Sequence, residues 1–251
     1  MPARRHTWTI VGASVAVLAL VAAGFLAFAP TDGEPGTRDS APIETWAAPA
    51  EAAPSAAAPI GPGAADLVDP LWVETTAEAT GIPERALAAY AGVAIRKSLE
   101  MPACGLGWNT LAAIGATESG HGTHDGSTLA ADGTATPPIY GIALVGGATD
   151  SIPDSDGGAI DGDAEWDRAV GPMQLIPQTW RNWHVDANGD GVEDPQNIDD
   201  ATTATANYLC RASGDMASET GWSAGITAYN SDPAYIVKIA AAGSRYRADT
   251  R

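Results

Sequence analysis

The stretch Leu111–Gly122, which reads LAAIGATESGHG, places a glutamate on what should be the apolar side of a helix. Four of its residues follow one another at spacings of three, one and three and therefore share one helical stripe: Leu111, Ile114, Gly115 and Glu118. A carboxyl group that faces the interior loses hydration, which raises its pKa toward the range of a general acid. A helix-terminal glutamate that simply reaches water past Gly120 fits this stretch equally well.

The whole chain is strongly acidic, with 251 residues and a formal net charge of −18 at pH 7. Nucleic acids and anionic membrane surfaces repel such a chain, so we expect no nucleic-acid partner. Composition divides the chain into an apolar start, an Ala- and Pro-rich middle and a remainder with the composition of a domain. This division predicts one folded domain behind a linker.

Residues 8–29 form an uncharged, mostly apolar run that comes after two arginines near the start. The run is about as long as a helix needs to cross a bilayer. The positive-inside tendency then leaves residues 1–7 in the cytoplasm and exports the chain behind the run. The length of the run and Pro30 favour a retained transmembrane signal-anchor, and hence a single-pass cell-membrane protein with an extracytoplasmic C-terminal domain. Secretion after signal cleavage behind Ala27-Phe28-Ala29 is the alternative.

The next segment, residues 30–68, is rich in Ala, Pro, Gly, Ser and Thr and contains few branched aliphatic residues. Such a composition buries too little apolar area to offset the entropy of ordering the chain. We therefore expect a disordered linker that holds the adjoining domain, residues 69–251, away from a membrane.

Helical patterns dominate the domain, and no segment alternates in polarity as a strand does. Start and stop residues predict six helices, which are Pro83 to about Leu99, Trp108–Ser119, Met173–Trp183, a helix from Asp199 to about Arg211, Trp222–Tyr229, and a last helix that begins at Asp232-Pro233. Asn109 or Thr110 is the predicted cap of the second helix, and Asp199 is that of the fourth. Pro177 is predicted to interrupt the third. The fold class is therefore mainly α.

One long irregular insertion, Thr123 to Arg168, interrupts this helical pattern. Structureless loops of such length are uncommon in compact domains unless they have a function. A wall of a substrate site and a tolerated surface insertion are both compatible with its Gly- and Asp-rich sequence.

Cys104 and Cys210 are the only two cysteines of the chain. Both lie behind the predicted anchor, and an even count in an oxidising compartment indicates a disulfide. Two buried free thiols are the alternative.

The segment from Asp186 to Asn197, DANGDGVEDPQN, has the spacing of a calcium-binding loop, with Gly191 at its sharp turn. Position twelve is Asn rather than the usual bidentate Glu, so we expect a structural Ca²⁺ of modest affinity. The predicted ligands are Asp186, Asn188, Asp190, Val192, Asp194 and Asn197. An Asx-rich turn without metal is the alternative. His121 and His124 lack the spacing and third ligand of a zinc site, and no organic cofactor is expected.

Four motifs in one order resemble those of a lytic murein transglycosylase, most closely the B-type membrane-bound enzymes in their actinobacterial form. They are AIGATESGHG around Glu118, AVGPMQLIPQTW at 169–180, DPQNIDDATTATANYLC at 194–210 behind the calcium-type loop, and ITAYN at 226–230. The resemblance covers roughly residues 70–246. It implies a lysozyme-like transglycosylase catalytic domain, in which the EF-hand-like calcium loop is a structural insertion.

The resemblance also implies roles for individual residues. Glu118 matches the family's single catalytic acid and base. It would protonate the glycosidic oxygen of the bond between MurNAc and GlcNAc in peptidoglycan, then take a proton from the muramic 6-hydroxyl as a 1,6-anhydro-MurNAc end forms. Implied substrate-binding residues are Ser119, Met173, Gln174, Tyr229 and Asn230. Glycan strands are the implied partner, and other cell-wall enzymes are compatible partners.

Two other functions fit the same sequence. A lysozyme-type hydrolase would share Glu118 but activate water with a second carboxylate, from Asp161, Asp163 or Asp167. A non-catalytic, calcium-stabilised module would bind the cell wall without turnover. Tyr229 also shares a helical stripe with Trp222 and Ile226, which is equally typical of a core position.

Overall fold

Seven helices dominate the structure, a computed structural model that describes residues 44–147 and 151–250. Their bounds are α1 Pro70–Thr80, α2 Glu84–Glu100, α3 Trp108–Ser119, α4 Pro177–Trp183, α5 Ile198–Ser213, α6 Glu219–Tyr229 and α7 Pro233–Asp249. Three short 3₁₀ helices connect them, at Ala65–Leu67, Pro102–Cys104 and His124–Gly126. The predicted mainly α fold is confirmed.

Helix α3 is the most buried helix of the fold and carries Glu118 near its C-terminal end. Every residue from Trp108 to Gly115 is buried, and α3 packs mainly against α7 and α2. Gly120 ends the helix in the left-handed conformation with φ 58°, a backbone state that suits glycine. The core therefore fixes the position of the last turn of α3.

The helix starts differ from the predicted ones in several places. Helix α6 begins at Glu219 rather than at Trp222, and Pro83 precedes α2 rather than starting it. Gly107 precedes α3 with no side-chain cap, and Asn109, predicted as its cap, is fully buried within the helix. Asn197 rather than Asp199 caps α5, because its side chain accepts the backbone N–H of Asp199. Pro177 begins α4 instead of interrupting it, since proline is well suited to the first helical position.

The insertion contains two small antiparallel pairs of strands, so the prediction of wholly irregular backbone over residues 123–168 is wrong there. Their bounds are β1 Thr128–Leu129, β2 Ala135–Thr136, β3 Tyr140–Ala143 and β4 Arg168–Val170. Thr128 pairs with Thr136 in the first, and Tyr140 with Val170 in the second. Strands of two to four residues are too short to show alternating polarity, so sequence patterning misses them.

Residues 44–68, here called the N-terminal strap, pack on the helical domain, which corrects the prediction of a disordered linker for this part of 30–68. Ala47 and Ala64 are fully buried in the core. Small residues permit this, because a Cβ at Gly92 of α2 would lie 2.0 Å from the carbonyl oxygen of Ala64. The remainder of the predicted linker and the predicted anchor at 8–29 lie outside the described residues.

Cys104 and Cys210 form a disulfide, as the sequence predicts. The bond links the 3₁₀ helix before α3 to the last turn of α5 and closes a loop with a sequence separation of 106 residues. It therefore ties together two segments that the insertion separates along the chain.

Among residues 44–147 and 151–250, no helix combines the length and the apolar character that crossing a membrane requires.

Candidate active site

The last turn of α3 opens into a cleft of about 690 Å³. Four of the predicted site residues meet there, although they come from distant parts of the chain: Glu118, Gln174, Tyr229 and Asn230. Further lining residues come from the insertion, β4, α4, Tyr208 of α5 and the loop between α6 and α7. Tertiary packing thus brings together residues that the sequence grouped only by resemblance.

Glu118 is half-buried in this cleft, and the Tyr235 hydroxyl donates a hydrogen bond to its Oε1 at 2.6 Å. Burial raises the pKa of Glu118 to about 7, while the Tyr235 hydrogen bond and the charge of Lys238 act in the opposite direction. Near neutral pH a substantial share of Glu118 is therefore protonated. This supports the interpretation of Glu118 as a proton donor over that of a glutamate in free water.

Tyr235 is a site residue that sequence reasoning missed. It lies in the first turn of α7, whose start at Asp232-Pro233 is predicted, and its ring stacks on Tyr229 with centroids 6.4 Å apart. The available signal was an aromatic residue in the first turn of the helix behind the ITAYN motif. Only the packing of α7 on α3 shows that this aromatic meets Glu118.

Ser119 and Met173 do not line the cleft, which corrects their predicted role in substrate binding. Ser119 is 3% exposed, and its hydroxyl donates to the Pro172 carbonyl at 2.6 Å. The Met173 side chain is fully buried, and its carbonyl oxygen accepts a hydrogen bond from the Tyr229 hydroxyl. Ser119 therefore helps to hold the loop before α4 in place, and the Met173 carbonyl positions the Tyr229 hydroxyl directly.

Gln174 occupies a strained backbone conformation beside the cleft, with φ 48°. Its Nε2 donates to the Gly171 carbonyl at 3.0 Å, which helps to retain this turn. A Cβ on Gly141 of β3 would lie 2.9 Å from Gln174 Oε1, so the insertion leaves room for the amide only because residue 141 is glycine. Left-handed conformations of non-glycine residues concentrate at functional sites.

The insertion contributes Leu144, Gly147 and Ile152 to the cleft lining. The two side chains among them, those of Leu144 and Ile152, are apolar and branched, so this side of the cleft is less polar than the side that carries Glu118. Of the two interpretations left open for the insertion, the substrate wall gains support from this placement.

Among the described residues, two acidic ones line the cleft, Glu118 and Asp232. The Asp232 carboxylate caps α7 by accepting the Ala234 N–H at 2.9 Å. Asp161 and Asp163, candidates for a second carboxylate, instead bind the backbone N–H and the side chain of Arg168. Asp167, the third candidate, is fully buried and accepts bonds from Ser155. Within the described residues, Glu118 is therefore the one cleft carboxylate not engaged in capping.

The predicted calcium loop lies away from the cleft, between α4 and α5. Asp186 accepts the N–H groups of Gly189 and Gly191 at 2.7 and 2.9 Å, so the loop turns tightly around its first carboxylate. Among the described residues, the acidic group whose oxygens converge within 4.8 Å is Asp154, Asp156 and Asp167, in the insertion. The carboxylates of the predicted loop do not converge in this way.

The oxygen donors at the start of the loop suit calcium, but its last position does not. The Asn197 side chain caps α5 and donates to the Asp132 carbonyl at 3.0 Å, so it is committed elsewhere. Asp200, which sequence reasoning also missed, instead holds the loop. Its carboxylate accepts the N–H groups of Ala187 at 2.7 Å and of Asp194 at 2.9 Å.

His121 is buried behind the cleft and bridges two tyrosines. Its Nδ1 lies 3.3 Å from the Tyr90 hydroxyl and its Nε2 lies 3.1 Å from the Tyr246 hydroxyl. Burial lowers the pKa of His121 to about 4, so the ring is neutral near pH 7. One imidazole therefore links α2, the end of α3 and α7.

Part of the chain is similar to a known family. Residues 158–243 match the family described as "Transglycosylase SLT domain". The matched segment contains Gln174, Tyr229 and Tyr235, whereas Glu118 precedes it along the chain. No curated protein and no solved structure shows significant similarity to the chain.

Proposed function

We propose that this chain is a lytic transglycosylase of the lysozyme-like superfamily, which cleaves the MurNAc-GlcNAc β-1,4 bond of peptidoglycan and leaves 1,6-anhydro-MurNAc ends. The match of residues 158–243 to the SLT domain family supports this proposal. The observation that carries this proposal is the isolation of Glu118. It is the one cleft carboxylate among the described residues that is not engaged in capping, and its pKa is raised to about 7.

The reaction requires one group that first donates and then accepts a proton. Protonated Glu118 would give its proton to the glycosidic oxygen as the bond from C1 of MurNAc breaks, which releases the GlcNAc 4-hydroxyl. The resulting carboxylate would take the proton of the MurNAc 6-hydroxyl while O6 bonds to C1, so Glu118 ends protonated. Because the substrate supplies its own nucleophile, no second carboxylate is needed, in contrast to a hydrolase.

Neighbouring residues would position the substrate and the acid. Tyr235 fixes the Glu118 carboxyl through its hydrogen bond, and Gln174 and Asn230 line the same cleft. Such groups accelerate a reaction by orientation rather than by proton transfer. We extend the proposal to a B-type enzyme, because its motif order and loop resemble that group.

The reaction is tested by incubating the full chain with peptidoglycan and measuring the masses of the released glycan fragments. The expected product is lighter by one water than a hydrolysed end. Glu118→Gln, which cannot donate the proton, should lower turnover at least about 100-fold. Glu74→Gln, a change of the same kind on the exposed surface of α1, should retain turnover. Reducing ends that carry ¹⁸O from labelled water would replace the proposal with the lysozyme-type reaction, and glycan binding without any turnover would favour the cell-wall-binding module.

We further propose a structural Ca²⁺ in the loop between α4 and α5. Asp186, Asn188, Asp190 and Asp194 with the Val192 carbonyl would hold it, and Asn197 is left out because it caps α5. An ion bound only by the folded state raises the melting temperature by mass action.

Melting curves with excess calcium and with chelator test this site. Asp190→Ala should remove the calcium response. Asp156→Ala, which alters the acidic group of the insertion, should retain it and serves as the matched control. A response that survives Asp190→Ala, or none in the parent chain, would contradict the site.

We also propose that residues 8–29 anchor the protein in the cell membrane with the domain outside, or are cleaved on secretion. The uncharged run behind two arginines and the disulfide of the domain support export. Cell fractionation with protease treatment tests this, and a domain protected inside intact cells would contradict it.

A further inference from the structure

A row of four aromatic side chains leads away from Glu118, and two of them line the cleft. Its ring centroids are 6.4 Å apart between Tyr235 and Tyr229, 6.2 Å between Tyr229 and Tyr208, and 6.3 Å between Tyr208 and Trp183. Tyr229 and Tyr208 both line the cleft, whereas Trp183 lies one ring beyond its lining. The row therefore extends the cleft past the residues that surround the proposed reaction.

Helix α4 places Trp183 at the continuation of the cleft beyond Tyr208. Thr179 of α4 lines the cleft, and Trp183 lies four residues further along, so both side chains are on one face of the helix. Trp183 also ends α4, and its half-buried ring packs on Tyr208 from the neighbouring helix α5. The cleft wall thus continues from Thr179 to Trp183 without a break in the helix.

The indole of Trp183 has a polar group that no other described residue uses. In the described part of the chain its N–H has no hydrogen-bond acceptor and is not among the fully buried polar atoms without a partner. The buried indoles of Trp108 and Trp222 differ, since they donate to the Glu51 carbonyl and to Thr110 Oγ1, both at 3.1 Å. An aromatic face beside a wet polar group is suited to a ligand that is itself apolar on one face and hydroxylated at its rim.

We propose that Trp183 and Tyr208 form a distal subsite that stacks against one N-acetylhexosamine ring of a glycan strand whose cleaved bond lies at Glu118. The continuity of the aromatic row with the cleft carries this assignment, and it rests on the proposed function. The subsite lengthens the strand that the enzyme holds, so longer glycans bind more tightly than short ones. The alternative is that Trp183 only packs α4 against α5.

Equilibrium binding of chitin oligosaccharides to the full chain carrying Glu118→Gln tests the subsite without turnover. The hexamer should bind more tightly than the trimer. Adding Trp183→Ala should weaken hexamer binding about three- to tenfold, as expected for one lost aromatic contact. The loss for the trimer should be smaller, and Trp183→Phe, which keeps a ring, should restore part of the hexamer affinity.

Trp72→Ala is the matched control, because Trp72 is also half-buried but packs on Trp108, outside the cleft lining. It should leave hexamer binding unchanged, and melting temperatures should show that each variant is folded. Equal hexamer affinity with and without Trp183, or equal affinity of the parent for trimer and hexamer, would overturn the subsite. Failure of the proposed function would give a different result. The Glu118→Gln chain would still bind the hexamer more tightly than the trimer, but the unmutated chain would release no 1,6-anhydro product.

Discussion

The protonation of Glu118 depends on two opposing effects on its pKa. Burial at the end of α3 raises the pKa, and the hydrogen bond from Tyr235 lowers it. Burial dominates and moves the pKa of Glu118 from an ordinary 4.5 to about 7. The folded protein therefore holds this proton more tightly than the unfolded chain does. The contribution of Glu118 to the free energy of unfolding is fully present below about pH 4, and it is lost as the pH rises to about 7.

Replacing Glu118 should therefore stabilise the protein in a pH-dependent way. At pH 8 Glu118→Gln should raise the free energy of unfolding by on the order of 2 kcal/mol, because no charge is then buried. At pH 4 the gain should largely disappear, since the parent is protonated there. Urea denaturation at both pH values measures the difference, and Glu74→Gln on the surface should show neither gain. The same gain at pH 4 and pH 8 would contradict the raised pKa.

At the scale of helices, the position of Glu118 depends on how closely α3 approaches α2. Gly115 makes this approach possible, because a Cβ there would lie 2.0 Å from the Tyr90 hydroxyl oxygen. The same hydroxyl contacts His121, so one point of packing fixes the last turn of α3 from two sides. Gly115 is therefore required for the close packing of α3 on α2 and not for backbone flexibility.

A methyl group at residue 115 should separate the two helices. Gly115→Ala should lower the free energy of unfolding by about 2–3 kcal/mol, as overpacked core positions do. In a Tyr90→Phe background the same change should cost less, because the atom nearest to the new methyl group is gone. Thermal or urea denaturation of the four chains gives the coupling energy. Additive effects would show that the two residues do not meet.

At the scale of the whole molecule, the N-terminal strap is part of the folded domain. The buried side chain of Asn109 holds it: its Oδ1 accepts the Ala50 N–H at 2.9 Å, and its Nδ2 donates to the Ala48 and Gly243 carbonyls at 2.9 and 3.1 Å. The strap, α3 and α7 therefore share one amide. An Ala-rich segment can be ordered in this way because the domain supplies hydrogen-bond partners and close-fitting surfaces.

Removing this amide should release the strap. Asn109→Ala should lower the free energy of unfolding by about 2–4 kcal/mol, since it leaves buried backbone groups without partners. Limited proteolysis should then cut within residues 44–68 before the helical core. Asn182→Ala on the exposed face of α4 should change stability by less than about 0.5 kcal/mol. An unchanged cleavage pattern in Asn109→Ala would contradict the role of this amide.

Local sequence signals determined much of the architecture. The bounds of α3, the start of α7 at Asp232-Pro233 and the stop at Gly120 result from periodicity and from residues that act within a few positions. The Cys104–Cys210 bond was predictable from the cysteine count and the predicted export of the domain, without knowledge of the fold. Glu118 stood out because a carboxylate on an apolar stripe is locally anomalous.

Tertiary structure alone decided which side chains meet. The bond from Tyr235 to Glu118 joins residues 117 positions apart, and no local pattern encodes such a separation. Ser119 and Met173 belong to the right motifs, yet they face inward because the packing of the Pro172 loop sets their direction. The order of the strap also depends on tertiary contacts. A segment of its composition does not fold by itself, and it is held by partners such as Asn109 that the rest of the chain provides.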